Sequence, residues 1–390
     1  MSPKNRFIIA GAGGIGRAVG LILADKPGID SEIYIGDLDP ILANNVEQWI
    51  KEGCSAVCSV NAFKIEEKEI SPEMDFIFKD GDILLDCLPG SEAPRMASIA
   101  LQYQMHYVNL TEYVDETEQI TRMVKDASTG FVLQSGLAPG YINILANKLY
   151  KDFVAKFQIE KVDYIKMRVG ALTESVEFPH YYAFTWSPVG VATEYIKDAN
   201  ALREGQPVLI PALSETTKRI INGVLYEEDY TSGGAADLPT YFRGKAKNLD
   251  YKTLRYPGHY EWVKELIRLD HGKESSIQNL LGRMREQVPH LEDDQIVLYA
   301  SVSAKDRNGN MQMLEHAQII KPMYIGSHKL KAIQTTTAAP MLEAARMLLN
   351  SNMRGPIFQS QIEPDSFLSG PFIQLVFNQA SIKNSLEMVE

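Results

Sequence analysis

The stretch RFIIAGAGGIGRAVGLILADKP constrains the fold more than any other part of this chain. A short apolar run, Phe7 to Ala10, precedes three glycines at G-x-G-x-x-G spacing, and apolar residues then recur at helical spacing. The turn residues expected to line a cofactor are Gly11, Gly13, Gly14, Ile15 and Gly16. The first glycine permits a tight turn, the second lets a pyrophosphate approach, and the third allows close helix packing. The pattern predicts a strand, a turn and a helix whose N-terminus binds a dinucleotide.

A second apolar run, SEIYIGDLDP, ends at Asp37, near the position where such folds place an acid against the ribose hydroxyls. A carboxylate at this point would repel a 2′-phosphate, so the sequence favours NAD over NADP. Asp39 is the alternative for this role, and a helix-capping or turn role is the alternative for Asp37.

Strand-like and helix-like segments alternate beyond this point. They are SAVCSVNA, GDILLDCLPG, APRMASIALQYQ, HYVNL, DETEQITRMVKDA and GFVLQSG. This order predicts an α/β fold with a doubly wound parallel sheet, in which ligands bind at the carboxyl ends of the strands. Leu88 and Pro89 follow one strand and Thr111 follows another, so they are candidates for the nicotinamide side. A plain turn is the alternative for Pro89-Gly90.

Composition excludes several classes of function. The net charge is −11 and no run of Lys or Arg occurs, which argues against nucleic acid as a partner. The three cysteines, Cys54, Cys58 and Cys87, lack the spacing of a metal site and are expected to be reduced thiols of a cytoplasmic protein. No apolar run is long enough to span a bilayer, so no membrane partner is expected.

The pattern changes after Pro139-Gly140, which predicts a dinucleotide-binding domain over residues 1–140 and a second domain over residues 141–334. KVDYIKMRV and HYYAFTW are strand-like, and two strands are expected to join in a tight hairpin at Asn308-Gly309. An antiparallel sheet with helices on one side is the simplest assembly. TTTAAPMLEAARMLLN predicts a helix with Pro340 in its first turn.

LDYKTLRYPGHYEWVKELIRL predicts a strand, a turn and a helix. Arg255 offers a planar fork suited to a carboxylate, and histidine, here His259, is the side chain best suited to exchange protons near neutral pH, so both are candidate site residues in this turn. The alternative is structural: Arg255 would pair with an acid and His259 would cap the helix.

Four motifs occur in order behind the glycine turn: GLAPGYINILA, YAFTWSPVGV, YTSGGAADL and YKTLRYPGHYE. They resemble the saccharopine dehydrogenase family, including its lysine 6-dehydrogenase and carboxynorspermidine dehydrogenase relatives, over nearly the whole chain. The resemblance implies a Rossmann domain completed by about residues 335–390 and a second α/β domain that binds an amino-acid substrate and forms a homodimer. It also implies hydride transfer between a nicotinamide and a carbon that bears nitrogen, followed by hydrolysis of the imine.

Within the family the motifs divide. TWSPVGV is similar to the saccharopine reductases, whereas GLAPGYINIL and YKTLRYPGH are more similar to lysine 6-dehydrogenase. The reductases more often have an acid at the position of Ala138 and a residue other than His at the position of His259. These departures favour a lysine 6-dehydrogenase-like enzyme over a saccharopine or carboxynorspermidine dehydrogenase.

The resemblance implies roles for individual side chains. Arg255 would bind a substrate carboxylate with the help of a neighbouring loop: Thr231, Ser232, Gly233 and Gly234. His259 would transfer a proton, while Tyr256 and Trp186 would wall the nicotinamide. A larger substrate would need another basic residue, such as Lys252 or Arg168. A catalytically dead nucleotide sensor is the rival from another functional class.

Overall fold

The computed structural model describes residues 5–26, 31–174, 176–269 and 276–378. The chain divides into two compact units. The first unit comprises the chain up to Ile144 together with Pro322–Ile373, and the second comprises Leu145–Lys321 and the segment that begins at Gln374. Among the described residues, no helix has the length and apolarity needed to cross a membrane.

The strands and helices follow in chain order. The strands are β1 (Asn5–Ala10), β2 (Ser31–Asp37), β3 (Ser59–Lys64), β4 (Ile83–Asp86), β5 (His106–Asn109), β6 (Gly130–Val132), β7 (Val162–Leu172), β8 (Ala199–Arg203), β9 (Gln206–Ile210), β10 (Thr217–Ile221), β11 (Val224–Tyr230), β12 (Ala246–Arg255), β13 (Gln295–Lys305), β14 (Met311–Ile320), β15 (Met323–Ile325), β16 (His328–Leu330) and β17 (Gly355–Ile357). The helices are α1 (Gly14–Asp25), α2 (Pro40–Gly53), α3 (Pro72–Lys79), α4 (Ala93–Gln102), α5 (Val114–Met123), α6 (Tyr141–Phe157), α7 (Pro188–Ile196), α8 (Leu238–Tyr241), α9 (His259–Arg268), α10 (Ile277–Gln287), α11 (Ala332–Leu349), α12 (Pro364–Leu368) and α13 (Pro371–Phe377).

The first unit is a seven-stranded sheet in the order β17-β6-β5-β4-β1-β2-β3, and every pairing in it is parallel. The central strands contain continuous buried apolar runs, Phe7 to Ala10 in β1 and Ile83 to Leu85 in β4, as expected for a sheet covered on both faces. The prediction of a doubly wound parallel sheet is confirmed. The carboxyl ends of β1, β2, β4 and β5 share one edge, which places the glycine turn, Asp37 and the segments after β4 and β5 there.

Helix α11 begins earlier than the sequence predicts. Its start is fixed at Lys331, whose backbone N–H donates to the side-chain oxygen of Gln334 at 2.9 Å. Pro340 therefore lies inside the helix rather than in its first turn, so that prediction was wrong. A proline at this place removes the backbone hydrogen bond to Thr336. The cap at Lys331 is not one of the preferred capping residues, which is why the sequence did not reveal it.

The second unit contains a mixed sheet in the order β10-β11-β12-β7-β13-β14, with β8 and β9 attached beside β12. β12 pairs with β7 in parallel, whereas β11, β13 and β14 pair antiparallel. The expectation of a purely antiparallel sheet was therefore wrong. More than seventy residues separate β7 from β12, which is ample for the crossover that a parallel pair needs.

Two strand predictions in this unit have opposite outcomes. KVDYIKMRV forms part of β7, and the hairpin between β13 and β14 turns at Gly309, which has a φ of 84°. HYYAFTW is not a strand, since its pairing is limited to an isolated bridge at Phe184. Tyr182 and Phe184 are instead buried in a core cluster with α7, α9 and α10. Aromatic enrichment marked burial here rather than a strand.

Candidate functional site

The glycine-rich turn lies at the carboxyl end of β1 and is shaped by its backbone. Gly11 has a φ of 100°, and its N–H donates to the Gly36 carbonyl oxygen at 2.7 Å. A Cβ at Gly16 would lie 1.8 Å from the Gly11 carbonyl oxygen, so only glycine lets α1 pack this closely. At Gly13, by contrast, a Cβ would have no atom within 4 Å. The space beside Gly13 is therefore open to a ligand.

The first turn of α1 suits an anion. Gly13 and Gly14 are exposed, and Gly13 is an N-cap without a side-chain hydrogen bond. Within this helix, all of which the structure describes, the first turn contains no acidic residue. Backbone N–H groups at an uncapped helix start bind phosphate oxygens. The turn therefore fits the pyrophosphate of a dinucleotide.

Asp37 and Asp39 have different surroundings. The carboxylate of Asp37 accepts from the Ala12 N–H at 2.8 Å and from the Asp39 N–H at 3.1 Å. The carboxylate of Asp39 caps α2 by accepting from the N–H groups of Ile41 and Leu42. Asp39 is thus used by its own helix, whereas Asp37 lies against the glycine turn at the end of β2.

The segments after β4 and β5 contact each other. A Cβ at Gly90 would lie 2.4 Å from the hydroxyl oxygen of Thr111. Beneath them lies Asp86, a buried carboxyl that sequence reasoning missed; it accepts from the Leu88 N–H at 3.1 Å and from the Tyr107 hydroxyl at 2.7 Å. Burial raises the pKa of Asp86 to about 7. This acid holds the turn at Leu88-Pro89, and its sequence signal is an acidic residue ending an apolar strand.

In the second unit, the predicted turn joins β12 to α9 through Tyr256, Pro257 and Gly258. Gly258 has a φ of 102° and is the N-cap of α9. Glu227 on β11 accepts from the Gly258 N–H at 3.1 Å and from the Tyr260 N–H at 2.6 Å. This carboxylate caps the helix from another strand, so no local sequence signal could have identified it.

Arg255 is the last residue of β12 and is 1% exposed. Its Nε donates to the Tyr195 hydroxyl at 2.7 Å and one terminal nitrogen donates to the Leu254 carbonyl oxygen at 2.9 Å. The guanidinium carbon lies 4.7 Å from the centre of the Tyr182 ring. In the part of the chain that the structure describes, no carboxylate forms an ion pair with Arg255. It is a buried cation outside ion-pair distance of every described carboxylate, although the charge of Glu194, on α7, lies within electrostatic range of it.

His259, the first residue of α9, is completely buried beside Arg255. Its Nδ1 lies 2.6 Å from the His180 carbonyl oxygen and its Nε2 lies 2.9 Å from the Tyr195 hydroxyl. Burial, together with the nearby Arg255 charge, holds its pKa well below the ordinary value. The ring is therefore neutral, and the expected proton transfer would require it to give up its bond to Tyr195.

Trp186 and the TSGG loop lie around the same helix as Tyr195. Trp186 packs against the cluster that contains Tyr182 and Tyr195, and its ring fills the space beside Gly190. Ser232 donates its backbone N–H to the Glu194 carbonyl oxygen at 3.1 Å, on α7. Two other loop residues contact β12: the Thr231 hydroxyl lies 2.6 Å from that of Thr253, and Gly234 packs against Tyr251. Between them, Gly233 turns the chain with a φ of 89°. The structure thus brings Arg255, His259, Trp186 and this loop together.

Tyr256 does not join this group. Its hydroxyl donates to the Thr173 carbonyl oxygen at 2.9 Å and accepts from Gln295 at 3.0 Å, and its ring packs near Tyr226. Successive residues of an extended chain point to opposite faces, so Arg255 and Tyr256 lie on different faces of the sheet.

Arg168 and Lys252, the additional basic residues suggested for a larger substrate, are also on the face opposite Arg255. Arg168 forms ion pairs with Glu228 at 2.9 Å and Asp250 at 2.6 Å. Lys252 donates to the Glu215 carbonyl oxygen at 2.6 Å and lies over the Tyr230 ring. Both cations are thus engaged within the fold.

Known proteins resemble this chain over much of its length. It is 25% identical over 299 residues to alpha-aminoadipic semialdehyde synthase of Arabidopsis thaliana, covering 69% of this chain and 27% of that protein. It is 24% identical over 278 residues to the mitochondrial alpha-aminoadipic semialdehyde synthase of Rattus norvegicus, covering 69% and 28%. The chain therefore spans little more than a quarter of the length of these relatives.

Two solved structures share the fold. Apo saccharopine dehydrogenase (L-Glu forming) from Saccharomyces cerevisiae has a TM-score of 0.72 at 15% identity, covering 93% of this chain and 96% of that one. Homospermidine synthase from Legionella pneumophila, solved in complex with NAD, has a TM-score of 0.66 at 13% identity, covering 100% and 95%.

Two family models match nearly all of the chain. Residues 7–132 match the saccharopine dehydrogenase NADP binding domain, and residues 136–374 match the saccharopine dehydrogenase C-terminal domain. The chain therefore belongs to the saccharopine dehydrogenase family.

Proposed function

We propose that the protein is an NAD-dependent oxidoreductase that oxidises the CH–N bond of lysine or a lysine-derived amino acid, with free lysine favoured. The observation that carries the proposal is Arg255, a buried guanidinium that lacks a carboxylate partner among the described residues. Burying a charge without an ion-pair partner is costly, and a substrate carboxylate would pair with Arg255 through a bidentate hydrogen bond.

The state of the other buried cations favours a small substrate. Arg168 is held by Glu228 and Asp250, and Lys252 by a backbone carbonyl oxygen, so Arg255 is the group available to an incoming carboxylate. Lysine has one carboxylate, whereas saccharopine has several that would need further basic partners. This contrast supports a lysine 6-dehydrogenase-like activity over the larger substrates.

The cofactor site fits NAD. The open turn at Gly13 and the first turn of α1 would hold the pyrophosphate, and Asp37 would accept from the ribose hydroxyls. When bound, the dinucleotide supplies the hydride acceptor for oxidation of the amine carbon. The segments at Leu88-Pro89 and Thr111 would border the nicotinamide, because they follow strands at the same edge of the sheet.

The residues of the second unit would bind and orient the substrate. Arg255 would fix the carboxylate, and the partly exposed Trp186 would exclude water from the amine carbon. Loss of hydride and of the ammonium proton gives an iminium, and its hydrolysis by one water yields an aldehyde together with ammonia from free lysine, or with an amine from an N-substituted lysine. The family resemblance also suggests a homodimer, and analytical ultracentrifugation tests this. The cysteine usage suggests a cytoplasmic protein.

The first experiment is the absorbance of reduced nicotinamide when purified protein meets NAD⁺ or NADP⁺ with lysine, and separately with saccharopine or carboxynorspermidine. Reduction of NAD⁺ with lysine alone is the expected result. Turnover of saccharopine alone would show that TWSPVGV was the better guide to substrate. Dinucleotide binding without turnover of any of these amines would support the sensor alternative instead.

A further inference from the structure

The contacts of Arg255, Tyr195 and His259 form a chain of hydrogen bonds in one direction. The His180 carbonyl oxygen can only accept, so Nδ1 of His259 carries the proton in the 2.6 Å contact. Because the buried ring is neutral, Nε2 has a lone pair and accepts from the Tyr195 hydroxyl at 2.9 Å. The Tyr195 oxygen in turn accepts from Nε of Arg255 at 2.7 Å, since a guanidinium can only donate.

All these hydrogen bonds run in the same direction, from Arg255 through Tyr195 and His259 to the His180 carbonyl oxygen. Each of the three side chains therefore meets a partner of the matching type. Arg255 has five N–H groups; Nε is held by Tyr195 and one terminal N–H is held by the Leu254 carbonyl oxygen. The other terminal N–H groups have no hydrogen-bond acceptor among the residues the structure describes. They form the end of the fork, which is suited to a bidentate carboxylate.

We propose that Tyr195 and His259 are positioning residues that orient the guanidinium of Arg255 toward a substrate carboxylate, with His259 acting as a neutral hydrogen-bond acceptor. The inference rests on the proposed carboxylate-binding role of Arg255. It assigns a function to Tyr195 and replaces the proton-transfer role considered for His259.

The surroundings of His259 favour a neutral ring. The titratable groups that contact or face it are Arg255, His180, Tyr182, Tyr195 and Tyr260. Arg255 is the positive member, and it disfavours a second positive charge nearby. No carboxylate in the described chain contacts the imidazole to stabilise its charged form.

Two matched substitutions separate an acceptor from a base. His259→Gln places a carbonyl oxygen near the position of Nε2 and still accepts from Tyr195, but it cannot exchange protons near neutral pH. His259→Leu has similar bulk and accepts no hydrogen bond. We expect His259→Gln to keep kcat within about threefold of wild type, and His259→Leu to raise KM for the amine substrate about tenfold to a hundredfold.

Tyr195→Phe tests the central link. It removes the acceptor for Arg255 and the donor to His259 while keeping the ring that packs beside Tyr260. We expect the same rise in KM as in His259→Leu, with kcat and dinucleotide affinity little changed. If His259→Gln instead lost turnover as severely as His259→Leu, and a pH limb near neutrality disappeared with it, His259 would be a proton-transfer residue and the proposal would be overturned.

A spectroscopic readout separates this inference from the proposed function. Nitrogen-15 NMR of the histidine rings, with His259 assigned by its loss in His259→Gln, reports which nitrogen carries the proton. We expect a neutral ring protonated at Nδ1 from about pH 5 to about pH 8. That result without any amine turnover would refute the proposed function but keep the hydrogen-bond chain, whereas a charged ring at neutral pH would refute the chain itself.

Discussion

Arg168 and Arg255 are buried to the same depth on opposite faces of one sheet, but their charges are balanced differently. Arg168 is 2% exposed and contacts the carboxylates of Glu228 and Asp250. Arg255 is 1% exposed and contacts the hydroxyl of Tyr195 and the ring of Tyr182. One arginine forms ion pairs with two carboxylates, whereas the hydrogen bonds of the other go to neutral groups and the Glu194 carboxylate lies beyond ion-pair distance.

In our proposal, this difference separates a structural arginine from one that binds a ligand. A buried ion pair is complete in the folded protein, so removing one partner leaves an uncompensated charge. A buried cation among neutral groups costs the fold free energy, and binding of an anion recovers part of it. Burial alone therefore does not indicate function; the identity of the neighbours does.

The largest expected effect is on stability, in Arg168→Met. This change leaves Glu228 and Asp250 buried with fewer positive neighbours, and we expect the free energy of unfolding to fall by about 3–5 kcal/mol. Urea denaturation followed by tryptophan fluorescence measures it. The control is Arg243→Met at an exposed arginine of the same unit. An equal, small loss in both variants would remove the contrast between the two buried arginines.

Arg255→Met should have the opposite pattern. Losing the partner of a substrate carboxylate should reduce kcat/KM for the amine substrate by about 2–5 kcal/mol of transition-state stabilisation. The free energy of unfolding should stay unchanged or rise, because a buried charge without an ion-pair partner has been removed. Steady-state kinetics and urea denaturation together test this. Arg268→Met, at an exposed side chain of α9, is the control, and a destabilised but fully active Arg255→Met would give Arg255 the structural role instead.

The parts of the candidate site that are contiguous in the chain could be predicted from the sequence. The glycine turn and Asp37 could be predicted because backbone conformation and residue spacing determine them locally. The strand, turn and helix around Arg255 and His259 were also predicted correctly. Tyr195, Glu227 and His180 could not be found, since they reach the turn from α7, β11 and a coil segment that are distant in sequence.

Tyr256 was predicted to lie at the same site as Arg255, although the alternation of the predicted strand already separates the two side chains. The sequence predicted a strand at the start of LDYKTLRYPGHYEWVKELIRL, and strand alternation places Arg255 on one face and Tyr256 on the other. HYYAFTW failed for a different reason, because its aromatic side chains fill a core and its backbone makes one isolated bridge. Composition alone predicts neither the face on which Tyr256 lies nor the core position of the aromatic side chains in HYYAFTW.

Lowering the pH should destabilise the ion pairs around Arg168 more than the contacts around Arg255. Burial opposes ionisation of Glu228, but Arg168 and Arg219 outweigh it and lower its pKa to about 2. The pKa of Glu228 in the folded protein lies below the value of about 4.3 for glutamate in an unfolded chain. Ionised Glu228 therefore stabilises the fold above about pH 4.3, and this contribution is lost as the pH falls toward 2. We expect Glu228 to account for a loss of about 1–2 kcal/mol between about pH 5 and pH 3.

Urea denaturation at several pH values measures this loss. Glu228→Gln should remove that part of the acid dependence, and Glu261→Gln, at an exposed surface pair, should keep it. Arg255→Met should keep the part of the dependence that Glu228 contributes, because Arg168 and Arg219, not Arg255, lower the pKa of that carboxyl. If Arg255→Met also lost the acid dependence that Glu228 contributes, the stability of the two faces of the sheet would not be independent.

The smallest expected effect applies the same contrast to two acids of the first unit. Asp39 is used by the N-terminus of α2, whereas Asp37 lies against the glycine turn, where a ribose would bind. Asp37→Asn keeps an acceptor for the Ala12 N–H but removes the charge that repels a 2′-phosphate, so the preference for NADH over NADPH should fall about tenfold. Fluorescence titration with both reduced dinucleotides measures the ratio of dissociation constants. Asp39→Asn is the matched control, because asparagine also caps a helix, and it should leave the ratio unchanged. A shift in Asp39→Asn alone would assign the ribose to Asp39 and show that a side chain used by the fold can still recognise a ligand.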